Sequence, residues 1–191
     1  MEKKLKINFY SQHSHEVDLD WRKKSCGIAC VKMVIDYCGV SKPQIMDLIE
    51  QGRYIGGYNP EYGWNHDSLV NILRNHGVSA YRQEFKSQNI NPSEKNSKKS
   101  KYEDRLCSLG EHKIIQFIDK GAPSMISVEK GFIVGDSSHL ILVIGYKKEL
   151  DHITGFFYLD PDNQLEDDKK CEFMSLDRFH NFWRKLAIFT A

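Results

Sequence analysis

The 191 residues are 40% hydrophobic, 12% aromatic and 28% charged, enough apolar chain for one independent core and too aromatic for a disordered polypeptide. Lys plus Arg number 27 and Asp plus Glu 26, a formal net charge of +1, so no long-range field draws the chain to nucleic acid or an anionic membrane. Five cysteines are an odd number, which leaves at least one thiol outside any intrachain pairing. The basic start, Met1 to Tyr10, lacks the apolar run of a signal peptide, and no stretch approaches the ~20 apolar residues of a membrane helix. The expected setting is reducing and cytoplasmic, with thiols available for chemistry.

In chain order, the first half reads as helices. Ala29, Met33 and Tyr37 recur at helical spacing from Cys26 to Tyr37, and Gly39 stands where a left-handed cap belongs. Ser41 and Gln44 have the spacing of a capping box for a second helix through Ile45, Leu48 and Ile49 to Gly52. Asp67 is the expected N-cap of a third, through Leu69, Val70, Ile72 and Leu73 to Gly77. Residues 87–105 are too polar to bury much surface and read as an exposed loop or linker. Ser108 and Glu111 then cap a helix carrying Ile114, Ile115, Phe117 and Ile118 to Gly121.

From there the period changes. Ser124 to Glu129, His139 to Lys147, Gly155 to Asp160 and Leu186 to Thr190 are short apolar runs broken by Gly, Asp and Asn, the pattern of an antiparallel sheet. A short helix, N-capped by Ser175 and bearing Phe179, Phe182 and Trp183, precedes the last run. The fold class is α+β, one domain over 1–191, with a helical lobe at about 20–86 and a β-sheet lobe at about 106–191.

Cys26 falls at the first turn of the first helix, where unpaired N–H groups and the positive end of the helix dipole favour a thiolate and face a developing oxyanion. Gly27 removes bulk beside the sulfur, and Lys23 and Lys24 add positive field or simply solvate a surface loop. A small buried hydrophobe is the competing reading of Cys26. A thiol nucleophile needs a base. His139 opens the most apolar strand, where its backbone is rigid, whereas the other seven histidines lie on polar stretches and read as solvated. Asp160 ends the next strand before Pro161, and it either orients the His139 ring or merely forms a turn.

These segments, in this order, resemble the C39-like branch of the papain-like cysteine peptidases. The resemblance rests on Phe9-Tyr10-Ser11-Gln12 as a strand ending in Gln, the helix start Cys26-Gly27-Ile28-Ala29-Cys30, Gly121 to Ile126, His139 to Tyr146, Phe156 to Pro161, and Phe179 to Phe189. It implies a papain-like fold, an N-terminal helical lobe packed on a C-terminal antiparallel sheet with the site in the cleft. It also implies Cys26 as nucleophile, His139 as general base and then acid, Asp160 as orienter, and Gln12 as a side-chain donor to the oxyanion. Gln12 lies fourteen positions before Cys26, so His13 to Lys24 must fold back. The implied partner is a peptide or protein substrate, with no cofactor.

Other chemistries fit less of the sequence. Cys26, Cys30, His13 and His15 lack the tight paired spacing of structural zinc, and Cys38, Cys107 and Cys171 supply no second pair. The acidic run Asp160 to Asp168 has Leu165 where a calcium loop needs glycine, and reads as a solvated loop. Plant proteins of similar fold described as guanylyl cyclases share a Cys-Gly-x-Ala-Cys helix, but no Gly-rich phosphate cradle is present. A catalytically silent peptide-binding module is the third reading.

Overall fold

The structure is a computed structural model that describes residues 1–86, 97–164 and 171–191, with 97–102 as backbone alone. The elements are β1 (Glu2–Lys4), α1 (Cys26–Cys38), α2 (Ile45–Tyr54), β2 (Tyr58–Asn59), β3 (Gly63–Trp64), α3 (His66–Asn75), β4 (Ala80–Glu84) and α4 (Ser97–Asp119). There follow β5 (Ser124–Glu129), β6 (Ser138–Glu149), β7 (His152–Leu159), β8 (Cys171–Ser175), α5 (Leu176–Phe182) and β9 (Trp183–Thr190). The main sheet is antiparallel in the order β4-β9-β5-β6-β7-β8, with β1 added to the far part of β6.

Both faces of the sheet centre are covered, which explains why β5 and β6 are buried in continuous runs rather than alternating. Leu140, Leu142 and Ile144 of β6 enter a core with α1, α2 and α3. Their neighbours Ile141 and Val143 enter a second core with Ile114 and Ile118 of α4 and Phe179 of α5. In that second core Phe179 is fully buried, its ring 4.7 Å from Trp183 and 4.8 Å from Phe156. Phe179→Ala is expected to cost about 3–5 kcal/mol, read as a lower denaturant midpoint in equilibrium unfolding.

Helix α1 ends as its sequence requires. Gly39 takes φ 67° and its N–H bonds the carbonyls of Ile35 and Asp36. Ser175 caps α5 by accepting from Arg178 N–H. Other expected boundaries are corrected. Ser41 caps nothing; its hydroxyl bonds His76 Nδ1 at 3.0 Å, and α2 starts at Ile45 with Gln44 as an N-cap that makes no side-chain bond. Asn65, two residues before Asp67, caps α3 by accepting from the N–H groups of Asp67 and Ser68.

Ser108 and Glu111 lie inside α4, which begins at Ser97, so 97–105 are helical rather than loop. Glu111 instead accepts from His180 Nε2 at 3.0 Å, fastening α4 to α5. Residues 87–96, and 165–170 of the acidic run, lie outside the described residues. Phe9 to Gln12 form no strand. The chain leaves β1 in an irregular course that still bonds Leu5 N–H to Ile144 O at 2.8 Å. Trp183 belongs to β9, and strands β1, β4 and β8, none of which has an apolar run to announce it, complete the sheet. Among the described residues, no helix is long and apolar enough to cross a membrane.

Candidate active site

Antiparallel pairing sets the site. Leu142 of β6 pairs with Leu159 of β7, so the start of β6 and the residue just past β7 meet. There His139, 4% exposed, donates from Nε2 to Asp160 Oδ1 at 2.6 Å. Because β7 pairs with β6 only from Leu142 onward, the β7-facing edge of β6 has no strand beside Leu140, whose other edge pairs with Ser127 of β5. Helix α1 fills the β7-facing edge with two sulfurs. Leu140 N–H donates to Cys26, and Leu140 O accepts from Cys30 Sγ at 3.5 Å.

Cys26 therefore lies at the first residue of α1 with Gly27 N–H, Leu140 N–H and the His139 ring all directed at its sulfur. Burial opposes a thiolate, but the His139 hydrogen bond and charge and the two backbone bonds hold the Cys26 thiol below its ordinary range. Burial likewise opposes an imidazolium, yet hydrogen bonds to Asp160 and Cys26 raise His139 to about 10. Nε2 is committed to Asp160, which leaves Nδ1 for the thiol. Cys30, one turn on, shows the contrast: burial and the neighbouring Cys26 and Asp160 charges push its thiol well up, so it stays a neutral donor.

Gly27 has a different reason from the one expected. A Cβ there would come within 2.9 Å of Leu69 Cδ1 and 3.1 Å of Leu140 Cδ1. It is the close approach of α1 to α3 and β6 that requires glycine, not access to the sulfur.

Gln12 is buried and tied to the same turn as Asp160. Its N–H donates to Pro161 O at 2.9 Å and its Nε2 to Asp162 Oδ1 at 2.8 Å. The loop from His13 to Lys24 does fold back, through successive turns such as Val17 N–H to Ser14 O and Lys24 N–H to Trp21 O. It ends anchored, because Trp64 Nε1 donates to Lys24 O at 2.6 Å. Of the zinc reading, His13 is engaged with Asp162 instead, and among the described residues no three His, Cys, Asp or Glu side chains converge as a ligand set.

The Peptidase C39-like family matches residues 4–188, nearly the whole chain. The chain belongs to the Peptidase C39-like family. Among solved structures, this C39-like chain is similar to a putative C39-like peptidase from Bacillus anthracis, with TM-score 0.66, 15% identity and coverage of 100% of this chain and 98% of that one. It is similar to the peptidase domain of Streptococcus ComA, a bifunctional ABC transporter involved in quorum sensing, at TM-score 0.61 and 20% identity, covering 99% and 98%. A double glycine motif protease from an AMS/PCAT transporter, in complex with its leader peptide, gives TM-score 0.58 and 14% identity, covering 98% and 93%. At such identities the shared property is the fold: N-terminal helices on an antiparallel sheet. No curated protein matches the chain in sequence.

In this C39-like chain the sulfur opens on a cleft of about 800 Å³. Lys23, Lys24 and the β2–β3 hairpin form one wall, the loop Gly135 to Ser138 the other, and Arg82, Glu84, Arg184 and Leu186 also line it. Lys23 and Lys24 are exposed on the rim. Trp21, Tyr58 and Trp64 pack in edge-on and tilted contacts with centroids 4.9 to 5.8 Å apart, along the hairpin wall. The hairpin had a signal in Tyr58-Asn59-Pro60-Glu61-Tyr62-Gly63-Trp64, aromatic ends around a Pro and Gly turn. His66 also lines the cleft; burial and then Arg82 lower its pKa, so it adds no charge there at neutral pH. His13, His66 and His76 are half-buried and not the solvated side chains expected, whereas His15, His112 and His152 are exposed.

Proposed function

We propose that this C39-like chain is a cysteine peptidase or related thiol amide hydrolase acting on a peptide or protein substrate. The observation that carries the reading is the run of hydrogen bonds from Cys26 to His139 to Asp160, with the sulfur on an open cleft and the base buried behind it. The Cys26 thiolate attacks the amide carbonyl, and the oxygen takes up the displaced electron pair beside the Cys26 N–H and the Gln12 amide. His139 delivers its proton to the leaving amine, which departs and leaves a thioester. His139 then takes a proton from water as that water attacks the thioester, and collapse frees the acid and restores the Cys26 thiolate beside protonated His139. Asp160 keeps the ring oriented throughout.

A peptide occupant is supported by the transporter protease of the same fold that is held with its leader peptide. The test is incubation with a degenerate peptide library, reading new amino termini by mass spectrometry. New termini are expected with the wild type and none with Cys26→Ala. A wild type that generates none, or a Cys26→Ala protein that generates the same ones, would overturn the proposal. Cyclisation of GTP with a divalent metal, undiminished by Cys26→Ala, would replace it with the cyclase reading.

A further inference from the structure

The described start of the acidic run, Asp160 to Asn163, is bonded into the site rather than left as a solvated loop. Asp160, Pro161 and Asp162 form a turn whose three residues each hold a different part of the site. Asp160 Oδ1 accepts from His139 Nε2 at 2.6 Å and from Asp162 N–H at 2.9 Å. Pro161 O accepts the Gln12 N–H at 2.9 Å. Asp162 Oδ1 accepts from Gln12 Nε2 and His13 Nε2, each at 2.8 Å, and Lys130 Nζ is 3.4 Å from its other oxygen. Ser11 Oγ adds a bond to Asn163 O at 2.7 Å, so residues 11–13 are laced to 160–163.

An amide is nearly symmetric in shape, and packing alone does not choose which end faces which way. A carboxylate only accepts, so Asp162 admits the NH2 end of Gln12 and refuses the oxygen end. Gln12 Oε1 is left buried without a partner, the cost of this orientation. One Nε2 proton is spent on Asp162, and among the described residues the second has no hydrogen-bond partner.

We infer that Asp162 is a positioning residue for the oxyanion: it selects the amide orientation of Gln12 and holds the second N–H for the reacting carbonyl oxygen. The inference rests on the reading of Gln12 as oxyanion donor. Asp162 is itself fixed as an anion. Burial works against its charge, but the His13 hydrogen bond and the charges of Lys130 and His139 keep its carboxyl below the usual range. The same turn thereby ties the orientation of the base to that of the oxyanion donor.

Two reagents separate this role from a structural one. Iodoacetamide alkylates Cys26 by displacement at a CH2 group and forms no oxyanion. With p-nitrophenyl acetate the thiolate adds to the carbonyl, the π pair moves onto oxygen, and its return expels p-nitrophenolate to leave acetyl-Cys26. Cys26→Ala gives the background from the exposed thiols Cys38 and Cys171. Asp162→Ala is expected to lower the ratio of acylation to alkylation about 10- to 100-fold, as is Gln12→Ala, and the double variant to lose no more than either. Asp162→Asn, which keeps a carbonyl acceptor for Gln12, should stay within about threefold of wild type and covers the case in which Asp162→Ala fails to fold.

A wild-type ratio in Asp162→Ala beside a lowered one in Gln12→Ala would overturn the positioning role and leave Gln12 as donor. A wild-type ratio in Gln12→Ala would overturn the donor reading and this inference with it. Equal losses in Asp162→Asn and Asp162→Ala would assign the effect to charge rather than to orientation.

Discussion

Cys26→Ser is expected to fold as the wild type and to lose acyl transfer by about 10⁴-fold or more. The substitution exchanges one atom at the first residue of α1, so the core contacts of Gly27 and Ile28 are untouched. What changes is acidity. The hydrogen bonds from His139, Leu140 and Gly27 lower the thiol below its ordinary range, but an alcohol starts several units higher and stays protonated beside the same groups. Burst release of p-nitrophenolate measures the loss, and a thermal midpoint near that of the wild type shows that it is chemical. Retention of the burst in Cys26→Ser would remove Cys26 from the nucleophile's place.

The second large effect is expected in the pH dependence of His139→Ala. With the Cys26 thiol held below its ordinary range and His139 protonated up to about 10, thiolate and imidazolium coexist in the pH window between the lowered thiol value and about 10. Cys26 alkylation in the wild type should therefore extend to lower pH than that of an ordinary thiol and fall as the pH drops through the lowered thiol pKa. Removing the imidazole deletes the main groups that lower that value and leaves burial, which raises it. The alkylation profile of His139→Ala should thus shift to alkaline pH, above the ordinary thiol value, with at least about 100-fold loss of rate at pH 7. An unmoved profile would break the Cys26–His139 pairing. Asp160→Ala should shift the profile the same way by less, because the imidazole and its hydrogen bond to the thiol are retained.

How much of this was legible in the sequence differs between the ends and the middles of elements. Cys26, His139 and Asp160 each stand at a boundary marked by a change in pattern, and antiparallel pairing of β6 with β7 necessarily brings two of those boundaries together. The apolar run of β6 was visible because both sheet faces are covered. The start of α4 was not, since Ser97 to Arg105 carries no apolar stripe to reveal a helix. Nor were the roles of Ser41 and Glu111, whose spacing fits a capping box while their partners are histidines 35 and 69 positions away. Asp162 was hidden for the same reason: Gln12 and His13 reach it across about 150 positions of sequence.

The docking of α1 on the β7-facing edge of β6 has a consequence for how this protein would respond to being altered at a distance. Leu140 offers both its backbone groups to α1, and its side chain touches the space where a Gly27 Cβ would be. Leu140 follows His139 and Gly27 follows Cys26, so the gap between sulfur and imidazole is gauged by core atoms one residue along from each. Its calibration lies in methyl groups, at Leu69 and Leu140, and a repacked core there retunes proton sharing while every chemical group of the site remains in place.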